Sequence, residues 1–179
     1  MFKPDVIFAQ IEKSLDSYVK NLDNYSDNQF YFKSSPEIWS LGQMYAHLVS
    51  SHSFFIYHIN NCLQKRKGQE GGEKNEFGTK ILIKNSFPPI KISIPDAWKG
   101  EEPIAKTIQE YKDIFPTMKN NMKNILENIK NDDQSYKTLH VAAGWLSAVE
   151  WLQVADMHLR HHFRQRDELE TTSKNLLST

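Results

Sequence analysis

A single cysteine, Cys62, in 179 residues excludes an intrachain disulfide and any multi-cysteine metal site. Long apolar runs are missing as well: nothing approaches the roughly 18 uninterrupted apolar residues of a membrane span. The opening MFKPDVIFAQIEKSL is charged throughout and has no apolar signal-peptide region. Nor is there an excess of either charge. With 22 basic and 22 acidic residues the formal net charge is zero, so the electrostatic footprint of a dedicated nucleic-acid binder is absent. The expectation is a cytoplasmic protein with neither a nucleic acid nor a membrane as partner. Common catalytic signatures are also lacking. There is no Walker A loop, no GxGxxG and no GxSxG. HLRHH lacks the glutamate of HExxH, and Glu150 and Asp156 lack the Glu-x-x-His spacing of a di-iron bundle.

What is present is an ordinary globular composition, 39% hydrophobic and 25% charged, in a chain long enough for one domain with a real core. Residues 1–170 are expected to form that domain, and 171–179 a frayed polar tail. Four helical patterns are separated by one long irregular insert, which makes the fold class all-α. The first helix covers about 4–22, with Ile7, Phe8, Ile11, Leu15, Tyr18 and Val19 as its apolar stripe. The Asn- and Asp-rich NLDNYSDNQFYFKSSP reads as a loop. Ser40 and Gln43 then form a capping box, and Trp39 can staple onto Met44. From there Met44, His47, Leu48, Ser51, Phe54, Phe55, His58 and Cys62 share one side of a helix that ends before Gly68.

Four glycines in KGQEGGEKNEFGT predict a mobile tip, and the prolines of ILIKNSFPPIKISIPDAW predict an extended crossover with a short edge strand. The third helix is expected from near Pro103 towards Ile129, kinked at Pro116. The fourth repeats the earlier start signal. Ser147 and Glu150 form a second capping box flanked by Leu146 and Trp151, and Ala148, Trp151, Ala155, His158, His162 and Leu169 share a face.

The chemistry lies in the histidines. His158 and His162 stand at i, i+4, so both imidazoles leave one helical face a turn apart, and His47 lies on the apolar face of another helix. Three neutral imidazoles meeting inside a bundle would bind a divalent ion with an open fourth position. His161 points roughly 80–100° away from the pair, but its i, i+3 spacing from His158 keeps it a competitor to His162. His58 lies about 16 Å along the axis from His47 and cannot share its ion. His52 is expected at solvent, and His140 in a loop before the fourth helix. The competing reading of the same histidines is a metal-free, hydrogen-bonded polar core. Gln43 is close enough to orient a bound water, but the capping box is the simpler role. Cys62, on the same face as His47, reads as a buried small hydrophobe rather than a reactive thiol.

At WSLGQMYAHL and GWLSAVEWLQVADMHLRHHFRQRDEL the chain resembles the DinB-like (damage-inducible) superfamily. Trp39, Ser40, Gln43 and His47 match its first motif. Gly144, Leu146, Glu150, Trp151, His158, His161, His162 and Gln165 match its second. The resemblance extends over nearly the whole domain. It implies an up-down-down-up four-helix bundle, with a long crossover after the second helix, holding nickel, zinc or a similar divalent ion on His47, His158 and His162. Relatives include thiol-dependent S-transferases, a thiol-dependent maleylpyruvate isomerase and metal-dependent hydrolases. One departure is visible: Val141 follows His140 where many relatives carry proline. The resemblance thus implies a transferase using a low-molecular-weight thiol, or a hydrolase, acting on a small-molecule substrate. The alternative is a non-catalytic bundle serving homodimer formation or ligand binding.

Overall fold

The computed structural model describes residues 2–88 and 101–177. In chain order these form α1 (Pro4–Leu22), α2 (Asp27–Tyr31), α3 (Leu41–Leu63), β1 (Gln69–Glu70), α4 (Glu76–Lys84), α5 (Ile108–Asn131), β2 (Tyr136–His140), β3 (Gly144–Leu146) and α6 (Ala148–Leu177). The protein is mostly helical, as expected, with a small antiparallel sheet in the order β1-β2-β3 that the all-α reading did not contain.

Four long helices surround the core, and side-chain pairs fix their directions. Asp5, Asp16 and Asp23 pair with Lys130, Lys119 and Lys112 at 3.1, 2.7 and 2.6 Å, so α1 and α5 run antiparallel. Tyr18 stacks on Phe163 and Tyr25 donates to Glu170, so α1 and α6 run in the same direction. His47 meets His162 while His58 meets Trp151, which makes α3 and α6 antiparallel. Tyr111 donates to the Gly42 carbonyl at 3.1 Å near the start of both α3 and α5, and these two run in parallel. The core between them is aromatic at one end, where Tyr18, Phe30, Tyr45, Tyr111 and Phe115 are all fully buried. Their phenol tips are satisfied by backbone carbonyls: Tyr18 donates to Leu159 at 2.7 Å and Tyr45 to Tyr18 at 2.9 Å.

The first half of α6 is buried on every side, from Ala148 to Met157. A segment buried all round occupies the centre of a domain. Its polar members Glu150, Gln153 and Asp156 are paired with Lys74, the Leu82 carbonyl and Arg160, and this placement carries His158 inward.

Several local expectations are corrected. The Asn-rich loop contains α2, capped by the Ser26 hydroxyl and held by Phe30, which packs on Tyr25, Tyr45 and Tyr111. Close approach here needs a glycine: a Cβ on Gly42 would lie 2.8 Å from Ala105 and 3.0 Å from Phe30. The glycine-rich tip is tied rather than free. β1 pairs with β2, Lys74 bridges Gly144, and Trp145 donates to the Glu73 carbonyl. Gly144 makes this possible, because its φ of 85° is left-handed and a Cβ would stand 2.7 Å from the Glu73 carbonyl oxygen. The segment ILIK is helical, as the end of α4, and the buried Gln153 of α6 holds that end through the Leu82 carbonyl at 2.9 Å. The rest of the expected extended crossover, residues 89–100, lies outside the described residues.

α5 starts at Ile108 rather than near Pro103, with a full Thr107–Glu110 capping box, and continues through Pro116. The α6 start is only half a capping box. Glu150 accepts the Ser147 amide at 2.9 Å, but the buried Ser147 hydroxyl has no partner. At the other end α6 runs on to Leu177, with Ser173 buried, where a frayed tail was expected.

Candidate metal centre

His47 sits in the second turn of α3, behind the Ser40–Gln43 capping box found as expected. His158 and His162 sit on α6, one turn apart. The antiparallel packing of these helices brings the three rings together. The Nε2 atoms of His47 and His158 lie 3.1 Å apart, and those of His162 and His158 lie 3.2 Å apart. One nitrogen from each of the three falls within 4.8 Å of the others, and no carboxylate or thiolate joins the group among the described residues.

These spacings can be tested against an ion. Zn–N bonds of 2.0–2.1 Å give N···N edges of about 3.3–3.4 Å in a tetrahedron and about 2.8–3.0 Å in an octahedron. The two short edges fall between these values, and the third, within 4.8 Å, closes on one ion by a turn of the His47 or His162 ring, so the donor set suits a divalent ion.

Protonation suits the same role. Burial pushes His47 down to about 4, with the neighbouring His161 adding to the effect. Burial, then the charge of His47, takes His162 to about 3. His158 is lowered well below the usual range by burial and by both partners. All three rings are therefore neutral at pH 7 and keep a lone pair to offer. For His162 the tautomer follows from its neighbour. Nδ1 donates to the Gln165 side-chain oxygen at 2.7 Å, which leaves Nε2 unprotonated and facing the centre.

The surroundings are mixed. Trp39 lies 5.2 Å from the His47 ring, so the expected staple residue packs on the site. The Ser51 hydroxyl is 3.4 Å from His47 Nε2. Gln43 is fully engaged, accepting from the Ser40 amide and donating to Glu102 at 2.8 Å, in agreement with the capping role.

The remaining histidines separate clearly. His161 is outside the group and packs edge-on against Phe87. His58 and His140 flank Trp151, and His58 contacts the Thr138 hydroxyl at 3.1 Å. His140 ends β2 rather than lying in a loop, and its Nδ1 accepts from the Ala142 and Ala143 amides. His52, expected at solvent, is only 6% exposed. The wheel placed it off the His47 face correctly, but that second face is covered by α5 and α6. Cys62 is fully buried beside Thr138 and Leu146, and burial raises its thiol pKa, which keeps it unreactive.

No curated protein matches the chain. A family model described as the DinB superfamily matches residues 10–165, a span that contains α3, the first 18 residues of α6 and all three clustered histidines. The chain belongs to the DinB superfamily, which includes metal-binding members.

Proposed function

We propose that this protein binds a divalent metal ion, nickel or zinc, on His47, His158 and His162, and uses it for transferase chemistry with a low-molecular-weight thiol. Hydrolysis is the second outcome on the same site. The observation that carries the reading is the convergence of three neutral imidazoles at 3.1 and 3.2 Å with no fourth protein donor among them. The helix directions support the up-down-down-up four-helix arrangement that the family implies, with β1 and α4 in the crossover between α3 and α5 and the β2–β3 hairpin between α5 and α6. A bound ion would act as a Lewis acid that lowers the pKa of a water or thiol in its open position. The chain's own residues provide the rest. Neutral imidazoles leave the ion's full charge, Gln165 orients His162, Trp39 shields one side of His47, and the Ser51 hydroxyl can hydrogen-bond a group held beside it. The substrate is a small electrophile, the compartment the cytoplasm, and self-association as a homodimer needs no further component.

The first test is elemental analysis of protein purified without an affinity tag. Wild type should hold one equivalent of metal, and His47→Ala, His158→Ala and His162→Ala should lose it, while His161→Ala keeps it. Turnover of a panel of thiols with electrophiles should then require both metal and His158. Metal-free wild type with unchanged folding would favour the non-catalytic bundle, and activity without metal would place the chemistry elsewhere.

A further inference from the structure

Behind the triad, on its core side, lies a small cavity of about 10 Å³ lined by Leu48, His52, Phe55, Met122, Ala155, His158 and Leu159. Its volume is close to one water sphere, the least that can hold an ordered water. Five of the seven lining residues are apolar; the two polar ones are His52 and His158. His52 Nε2 is buried and has no hydrogen-bond partner in the protein. An unpaired ring nitrogen in an apolar core has given up its hydrogen bonds to water with nothing in return, so a buried group of this kind calls for a partner.

His158 has the complementary need. Its Nε2 faces His47 and His162, so its Nδ1 leaves the opposite side of the ring. A ring that offers its Nε2 lone pair to a metal carries its proton on Nδ1, and that N–H requires an acceptor. His162 meets the same requirement directly through Gln165.

We propose that one ordered water occupies this cavity, accepting from His158 Nδ1–H and donating to His52 Nε2, so that His52 positions His158 as a ligand. The site is a water site, and His52 is a positioning residue that never touches the ion. The water needs at least two polar partners to be held, and these two rings supply them. The proposal rests on the metal-binding reading for the His158 tautomer, because without an ion His158 Nε2 must carry the proton that faces the His162 Nε2 lone pair at 3.2 Å. The water, which can donate to His158 Nδ1 in that state, belongs to the protein with or without metal.

Three measurements test it. A high-resolution crystal structure should contain a water in the cavity bonded to both rings, and ¹⁵N NMR of the zinc-loaded protein should find His158 protonated on Nδ1. In competition with a chelator, His52→Leu should bind zinc about tenfold more weakly than wild type, the lower end of what loss of an outer-shell partner costs. It should do so without lowering the thermal midpoint of the metal-free protein. His52→Gln, which restores a polar partner, should recover most of the affinity and keep the Nδ1 tautomer. A dry cavity, a His158 not protonated on Nδ1 in the zinc-loaded protein, or equal zinc affinity for wild type and His52→Leu would overturn the proposal. Wild type that binds no metal would instead defeat the metal reading, and the crystal structure would still decide on the water.

Discussion

His52 is in its neutral form in the folded protein because burial takes its pKa from 6.5 to about 4. In the unfolded chain it takes up a proton near pH 6.5. Between pH 6.5 and 4 the unfolded state therefore binds more protons than the folded one, and stability falls as the pH falls. Below about pH 4 both states are protonated and the slope from this residue vanishes. A shift of this size corresponds to about 3 kcal/mol, and the other buried histidines act with the same sign. Urea unfolding of chelator-treated protein should consequently show a falling midpoint from pH 7 to pH 4. His52→Leu should flatten that dependence. Identical pH slopes for the two proteins would mean that His52 titrates normally and is solvated.

At the scale of elements, the three long helices that begin with a Ser or Thr cap can be ranked. The Ser40 and Thr107 hydroxyls each accept the N3 amide, and the backbone amides of the same two residues donate to the N3 side chains, so both boxes are complete. Ser40→Ala or Thr107→Ala should each cost about 1 kcal/mol. Ser147 is different. Its hydroxyl is buried without a partner, so Ser147→Ala should be neutral or slightly stabilising by chemical denaturation. Glu150→Ala should cost more than any of these, because Glu150 accepts the Ser147 amide and pairs with Lys74 at 2.6 Å while almost wholly buried. A destabilised Ser147→Ala would show that its hydroxyl is hydrogen-bonded in solution. The same comparison explains what was legible at this scale. Periodicity with the S-x-x-Q box at Ser40 and the S-x-x-E pair at Ser147 marks the starts of α3 and α6 within a residue, and the T-x-x-E box at Thr107 is an equally local signal that marks the start of α5 better than Pro103 does. α2 and the small sheet carry no periodic signal. Their few residues are held by Phe30 in the aromatic core and by pairing with distant strands, contacts that no local window contains.

For the whole molecule, the triad joins α3 to α6 across a sequence distance of more than one hundred residues. An ion bound there would stabilise only the folded state, by about 2.7 kcal/mol at one hundred times its dissociation constant. For a domain of this size that is a rise of about 5–11 °C in thermal midpoint. Zinc or nickel should produce this shift in wild type, and His158→Ala should abolish it. An equal shift in both proteins would locate the binding elsewhere. The antiparallel Asp–Lys pairs between α1 and α5 are largely exposed and are not expected to matter on this scale.

The amino-acid sequence by itself determined the four long helices, the pairing of His158 with His162 on one face, and the burial of Cys62, because these follow from local periodicity and capping chemistry. Resemblance within the motifs added the choice of His162 over His161 and the family, both of which spacing alone left open. Tertiary structure decided the rest. Which helix covers which face is a property of the packed core, so the burial of His52, the cavity it shares with His158 and the place of Trp39 against His47 had no local signal. The wheel can say that two side chains point in different directions from a helix. Only the neighbouring helices decide whether the second direction leads to water or into the core.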